Sequence, residues 1–451
     1  MLALGTLALA TSAIATVTTL SLDDKIGQLF IVPAAPLHHH VEHHLQDIRQ
    51  LSPGGILFKQ SPNPPALVDF IHRLGLDTLR CADAEWGLSM RVKEGVVRWP
   101  KNLTLGAIQD LSWLSRYGAA VGRECAAVGI DINFAPVLDT PDNPAIGMRS
   151  FGMLNRAEKG VVVMHTMQEL GVAGAAKHYP GLQKSRIDPH HALPVLDALD
   201  LEPFLAMIRA GVKCIMTTHA LFEGEIVTFS KKVVGDQIRG KWDYNGLIIT
   251  DAMNMKALDD TPGENAVRAF EAGHDCLLYG DHLDEQVDDI LKRQVPAAKA
   301  ALKEAVQTGR ISEERLNASV ERILKAKSSP SHQKEVANPP SLLGAQGLKE
   351  QLFEEAITRV GSLPPQGAEV IEITQVTEEA QAQLRKLKAS GKPYVVVLYT
   401  TPYALKDIGE HAHILIAYED QPEAHAAVQK ALSGNLIPKG VMPVRSGPAA
   451  E

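Results

Sequence analysis

The stretch "VAGAAKHYP", residues 172–180, is small and apolar as far as Ala176 and then ends on Lys177 and His178. A short apolar run of this kind reads as a buried strand, and its polar end marks where the strand leaves the core. The same pattern occurs in GQLFIVPA (27–34), GGILFK (54–59), TLRCADAE (78–85), GIDINFAPVLD (129–139), VKCIMTTH (212–219), GLIITDAM (246–253) and HDCLLYGD (274–281), which makes eight strand candidates in all. Segments with helical periodicity lie between them, at 112–127, 157–170, 200–210 and 263–273. Strand alternating with helix implies a parallel sheet. Eight repeats predict an α/β fold of the closed (β/α)8 TIM-barrel type, whose active groups gather at the carboxyl ends of the strands. The polar residues follow that rule: the runs end in Asp83 and Glu85, in Asp139, in Lys177 and His178, in His219, in Asp251 and in Asp281. The alternative is a doubly wound open sheet, which would place a ligand at one switch point and leave most strand ends unused.

Outward from the barrel, a helical tail runs to about Lys327, and "SSPSHQKEVANPPS" (328–341) reads as a linker from its Ser, Pro and polar content. Beyond it a helix over about 346–360, strand candidates AEVIEIT (368–374), PYVVVLY (393–399) and HILIAYE (413–419), and a helix at about 421–432 predict a small α/β domain across 342–451. Residues 375–391, rich in Lys, Glu and Gln, read as a solvated helix. The barrel is assigned to 21–327 and a signal-like leader to 1–20. That leader, "MLALGTLALATSAIATVTTL", offers an A-x-A site at Ala13-Ile14-Ala15, but no Lys or Arg precedes its apolar core. Export to the periplasm, or a cytoplasmic protein with a frayed extension, are both left open by it.

Composition narrows the function. The 451 residues are 45% hydrophobic and 22% charged, ordinary for a globular protein with a substantial core. Lys and Arg number 45 against 53 Asp and Glu, a net charge of −8 without a basic block. Nucleic acid and anionic membrane surfaces are therefore poor partners. No segment after the leader is long and apolar enough to span a bilayer. Cys81, Cys125, Cys214 and Cys276 are far apart, lack metal-ligand spacing and read as buried thiols. "HHHVEHH" (38–44) pairs His39 with His43, or His40 with His44, at i, i+4 spacing, but it is not an H-E-x-x-H motif. It reads as a solvated helix start rather than a zinc site. No metal and no cofactor is expected.

Two elements carry candidate chemistry. Asp251 follows the apolar residues of "GLIITD" and should emerge at a strand end, as a pocket carboxylate or as a helix N-cap. In "KSRIDPHH" (184–191), Asp188 is placed to accept from the ring of His190, with Pro189 fixing the bend between them. An imidazole on a loop suits general acid/base work near neutral pH; a solvated polar loop is the plain alternative.

"KHYPGLQKSRIDPHHALP" (177–194) resembles the K-H-F-P-G-H-G-(x4)-D-S-H-x-x-L-P signature of glycoside hydrolase family 3, in its β-N-acetylglucosaminidase branch. "IITDAMNM" (248–255) resembles that family's nucleophile strand, and "DAEWGLSMR" (83–91) its first sugar-binding loop. "INFAPVLD" (132–139) and "IGMRSFG" (146–152) also match in order and spacing, so the resemblance covers about Leu22 to Lys327. The segment 393–444 is similar to a shortened form of the family's C-terminal α/β domain. The resemblance implies hydrolysis of terminal β-linked N-acetylglucosamine with retention, through a covalent glycosyl-enzyme and without a metal. It implies Asp251 as nucleophile, His190 as general acid/base with Asp188 as its partner, and Asp83, Arg149, Lys177 and His178 as ligands of the terminal sugar. The expected partner is thus a carbohydrate, such as a peptidoglycan fragment. His191 is a second candidate acid, ranked below His190.

The physics fits these roles. An oxocarbenium-like transition state needs an anion beneath the anomeric carbon and a proton at the leaving oxygen. Asp251 is followed by Ala252, not by a second carboxylate that could polarise a substrate acetamide, which favours direct attack. Lys177 and His178 alternate in direction on a strand, so both should reach sugar only if they lie just past its end. The family's His-Gly-Asp after Pro-Gly is Leu182-Gln183-Lys184 here, although the distance to Asp188 and His190 is kept. Lys184 adds a positive charge that disfavours a nearby imidazolium. The alternatives are a phosphorylase on the same scaffold, a weakly catalytic sugar-binding protein, and a metal-dependent barrel hydrolase using Asp83, His178, His219 and Asp281.

Overall fold

The computed structural model describes residues 16–183, 193–255, 258, 261–280, 284–329, 332, 345–365 and 367–444. Eight parallel strands form a ring: β1 (Phe30–Ala34), β2 (Gly55–Phe58), β3 (Leu79–Ala82), β4 (Ile132–Asn133), β5 (Ala173–Tyr179), β6 (Cys214–Thr217), β7 (Leu247–Ile249) and β8 (Leu277–Leu278). Each strand pairs with the next in sequence and β1 pairs with β8. A parallel bridge between Ile249 and Cys276 joins β7 to β8 and closes the barrel. Strict sequential order excludes the doubly wound sheet, which reverses direction at a switch point. The strands are buried along almost their whole length, as expected where helices cover the outside and side chains fill the inside. Helices at Val41–Leu51, Pro64–Leu74, Leu111–Ala127, Arg156–Glu169, Glu202–Arg209, Lys232–Lys241 and Pro262–Ala272 connect successive strands. All four cysteines are free and buried.

The amino end of the barrel is sealed by the helix Leu22–Gln28, capped by Ser21, whose hydroxyl accepts from the Asp24 N–H at 3.2 Å. It packs against Val295–Gln307 and Glu313–Lys327. A side chain on Gly54 would sit 1.8 Å from the Gln28 carbonyl, so only glycine allows this approach. Arg80 and Asp131 form a buried two-pronged ion pair at the same end, at 2.8 and 2.7 Å.

The C-terminal unit is a four-stranded sheet in the order Thr358–Gly361, His413–Ile416, Tyr394–Leu398, Glu369–Ile373. Three of its strands run parallel and the first is antiparallel. The helix expected over 346–360 ends at Ala356. The β-branched residues Thr358 and Val360 that follow pair with His413–Ile416 instead, because an open sheet edge is there to receive them. The helix Glu378–Ser390 stands where residues 375–391 suggested one.

The solvated reading of the His-rich run is corrected by burial. The helix begins at Val41, so His39 and His40 precede it. His44 is fully buried against Phe70 and accepts the Ala35 N–H at 2.9 Å, while His38 is buried and stacks on His44.

Candidate active site

The carboxyl ends of the barrel strands open into a cleft of about 760 Å³. Its polar walls come from residues at or just past the ends of four strands: Lys59 after β2, Asp83 and Glu85 after β3, Lys177 and His178 in the last residues of β5, and Asp251 after β7. Arg149 enters from the loop after β4.

A lattice of buried and half-buried charges lines one side. The Lys177 ammonium lies 2.8 Å from Asp83 Oδ1 and 2.8 Å from Glu85 Oε1. Arg91 Nη2 donates to Asp83 Oδ2 at 2.7 Å. Arg149 grips Glu85 with two prongs, Nη2 to Oε1 at 2.7 Å and Nε to Oε2 at 2.9 Å. Burial works against the charges of Asp83, Glu85, Lys177 and Arg149, but their partners prevail. Glu85 is held at about 2 by Arg149 and Lys177, and Asp83 is held well below the ordinary carboxylate range by Lys177 and Arg91. Lys177 is raised by Asp83 and Glu85 in spite of its burial. Asp83, Glu85, Arg149 and Lys177 thus stay ionised and locked in place, presenting fixed donors and acceptors to a ligand's hydroxyls.

His178 is oriented from behind. Its Nδ1 lies 2.6 Å from Asp139 Oδ2, and a carboxylate only accepts, so Nδ1 carries the proton. Nε2 lies 3.5 Å from Arg149 Nη2. Asp139 also takes the backbone N–H of His178 at 3.2 Å and of Leu182 at 2.7 Å, fixing the start of the following loop. Both Lys177 and His178 lie within β5, not past its end, and both line the cleft; the peptide between them is cis.

Asp251 faces this lattice. It does not cap the next helix, Pro262–Ala272, which takes its cap from Thr261. Its Oδ1 accepts the Ala252 N–H at 2.8 Å, and its own N–H donates to the Thr217 carbonyl at 3.1 Å. Burial opposes its charge, yet the fields of His178 and His219 and the Ala252 N–H bring its pKa below the ordinary value. His219, itself depressed by burial, donates from Nε2 to the Ala252 carbonyl at 3.1 Å and so steadies the Asp251 backbone. At neutral pH the carboxylate is an anion facing the cleft, ready to act as a nucleophile or as a counter-charge.

Of the residues marked in the sequence, Asp83, Arg149, Lys177, His178 and Asp251 meet in this one cleft. Asp188, His190 and His191 lie outside the described residues, as do Lys184 and Asp281. The described residues just before that segment reach the cleft. Leu182 lines it, and Gln183 Nε2 reaches the Ala198 carbonyl at 3.3 Å. The chain after residue 192 is anchored by a small sheet of Val195–Leu196, Leu221–Phe222 and Glu225–Ile226. Glu85, Asp139 and Arg91 had no assigned role from sequence, although the first two stood at strand ends and Arg91 closed the quoted motif. Among the described residues no group of three or more His, Cys, Asp or Glu side chains converges to hold a metal ion. His219 is occupied by Thr228 and Ala252.

A (β/α)8 barrel with an ion-paired polar cleft at its strand ends is the arrangement of the barrel enzymes. Residues 21–326 match the glycosyl hydrolase family 3 N terminal domain, and the chain belongs to that family. A β-hexosaminidase A of Pseudoalteromonas piscicida is 30% identical over 323 residues, covering 62% of this chain and 54% of its own length. A protein of Cellulomonas fimi named β-N-acetylglucosaminidase/β-glucosidase is 27% identical over 339 residues, covering 68% of this chain and 57% of its own. The matches thus span little more than half the length of these two curated relatives. Among solved structures, a glycoside hydrolase family 3 β-N-acetylglucosaminidase from Paenibacillus sp. str. FPU-7 superposes with a TM-score of 0.82 at 26% identity, covering 96% of this chain and all of the other.

Proposed function

We propose that this protein is a retaining exo-β-N-acetylglucosaminidase. It removes terminal β-linked N-acetylglucosamine, as from peptidoglycan fragments, with Asp251 as nucleophile and an Asp188–His190 pair as acid/base. The observation that carries the reading is the Asp251 carboxylate, kept ionised against burial and facing the Asp83–Lys177–Glu85–Arg149 lattice. The names of the relatives support the sugar. In the first step the Asp251 carboxylate attacks the anomeric carbon while the glycosidic C–O bond breaks and His190 gives its proton to the departing oxygen. In the second, water attacks the same carbon, His190 takes its proton, and the ester to Asp251 breaks. Two inversions return the β-configuration. Asp83, Lys177, Arg149 and His178 hold the sugar's hydroxyls through both steps. The reach of His190 is supported by Leu182, which lines the cleft only eight residues earlier in the chain.

The test is release of aglycone from an aryl N-acetyl-β-glucosaminide, beside the plain β-glucoside, with and without phosphate. The reading predicts free N-acetylglucosamine of β-configuration and faster release from the acetamido substrate. Sugar 1-phosphate as the product would replace hydrolysis by phosphorolysis. Binding of N-acetylglucosamine without any turnover would reduce the protein to a sugar-binding homologue.

A further inference from the structure

We infer that Glu419, in the C-terminal unit, is a positioning residue for Arg149 and so makes that unit part of the working site. The inference rests on the role proposed above for Arg149 in holding the sugar.

Glu419 follows the strand His413–Ile416 and is buried against the barrel. Its Oε1 accepts the backbone N–H of Lys101 at 2.7 Å and the Thr104 hydroxyl at 2.6 Å. Both donors belong to one short barrel segment, the helix Asn102–Gly106 and the residue before it. From that same helix, the Asn102 side chain donates to the carbonyl of Arg149 at 2.8 Å. Three hydrogen bonds therefore join a carboxylate outside the barrel to the backbone of a cleft cation. A second line of contacts runs beside them. The Met153 N–H donates to the Pro443 carbonyl at 2.7 Å, and the Val441 N–H donates to the Ala107 carbonyl at 2.9 Å.

The packing leaves this region little freedom. A side chain on Gly152 would stand 2.4 Å from the Pro443 carbonyl, and one on Gly106 would stand 2.1 Å from the Phe151 carbonyl. The residue before Glu419 is also unusual. Tyr418 has φ of 68°, a left-handed conformation that a bulky side chain rarely adopts. Its hydroxyl is tied to Thr358 Oγ1 at 2.6 Å. Strain of this kind persists only where surrounding contacts enforce it, and here it orients the next residue, Glu419, toward the barrel. The pull matters because Arg149 must meet two demands at once. It grips Glu85 with two prongs and must still offer an edge to the cleft, so a shift of its backbone by a fraction of an ångström disturbs both.

The experiment uses the full chain and a double-mutant cycle on kcat/KM for an aryl N-acetyl-β-glucosaminide, with Glu419→Ala, Arg149→Lys and their combination. Thermal unfolding is followed for every variant. Glu419→Ala is expected to lower kcat/KM by about tenfold or more alone, but by less than about threefold in the Arg149→Lys background. The drop in Tm should be the same in both backgrounds. Glu419→Gln should stay within about threefold of the parent, because its amide oxygen can still take both donors. The neighbouring Gln421 can turn its unpartnered Oε1 toward the new amide N–H. If Glu419→Ala does not fold, Thr104→Val, which removes one donor, is put through the same cycle and should show the same coupling. An equal loss in both backgrounds, or none in either, overturns the inference while leaving the proposed activity intact. An Arg149→Lys protein with parental kcat/KM overturns the role of Arg149 and the inference with it.

Discussion

Asp251 is charged although burial opposes it, and the cost is met by His178, His219 and a backbone N–H. An amide at this position fits the space but can neither bond covalently to the anomeric carbon nor oppose a developing cation. Asp251→Asn is therefore expected to lower kcat by at least about a thousandfold with little change in Tm, checked by aryl-glycoside kinetics and thermal unfolding. At Lys177 the expected loss is of both activity and stability. Lys177→Met leaves Asp83 and Glu85 buried without their shared cation, which should cost about 3–5 kcal/mol in denaturant unfolding. The apolar run before Asp251 made its place at a strand end legible, but that position alone left a helix N-cap equally open, and the proposed role of nucleophile came from the family resemblance. Asp139 was harder to read. It touches no cleft surface of its own, and its role, to take the Nδ1 proton of His178, depends on a pairing 39 residues apart in sequence.

At the scale of the element, the loop after β3 carries Asp83, Glu85 and Arg91 and is held from behind by the helix Leu111–Ala127. Glu124 of that helix accepts from Trp99 Nε1 at 3.0 Å, and burial pushes its pKa up to about 7. A carboxyl raised in the folded state favours folding while it is protonated. Its contribution is complete below about pH 4.5, its unfolded value, and is lost as pH climbs through about 7. The Glu124→Gln protein does not titrate there. Its stability relative to the parent should rise by up to about 3 kcal/mol between pH 5 and pH 8, read from denaturant midpoints at the two pH values. Strands and helices were legible because each barrel segment is bounded and periodic. The boundary at Ala356 was not, because the choice between helix and strand for Thr358–Gly361 is made by a partner strand more than fifty residues later. The burial of His44 was equally hidden, since it depends on Phe70 and the Ala35 N–H rather than on neighbours in the run.

For the whole molecule, eight strand ends converging on one cleft follow from closure of the barrel, and that convergence could be read from the sequence before any contact was known. The docking of the C-terminal unit could not. Glu419 reads in sequence as one more charge after a strand, and only the fold brings it to Lys101 and Thr104. The joint is predicted to be sensitive to a single methyl group. Gly152→Ala meets both a φ of 99° and the Pro443 carbonyl. It should lower stability by about 2–3 kcal/mol and reduce kcat/KM along with it, in contrast to a surface substitution of the same size. The measure is a Tm shift beside aryl-glycoside kinetics.

The most direct test of the account is covalent trapping. The full chain is treated with a 5-fluoro N-acetylglucosaminyl fluoride, which forms the glycosyl ester quickly and releases it slowly, and the labelled protein is digested and sequenced by mass spectrometry. The account predicts one sugar per chain, on the peptide that carries Asp251, and no label on the Asp251→Asn protein. A sugar attached to any other side chain, or turnover through a released oxazoline with no covalent adduct, would contradict it.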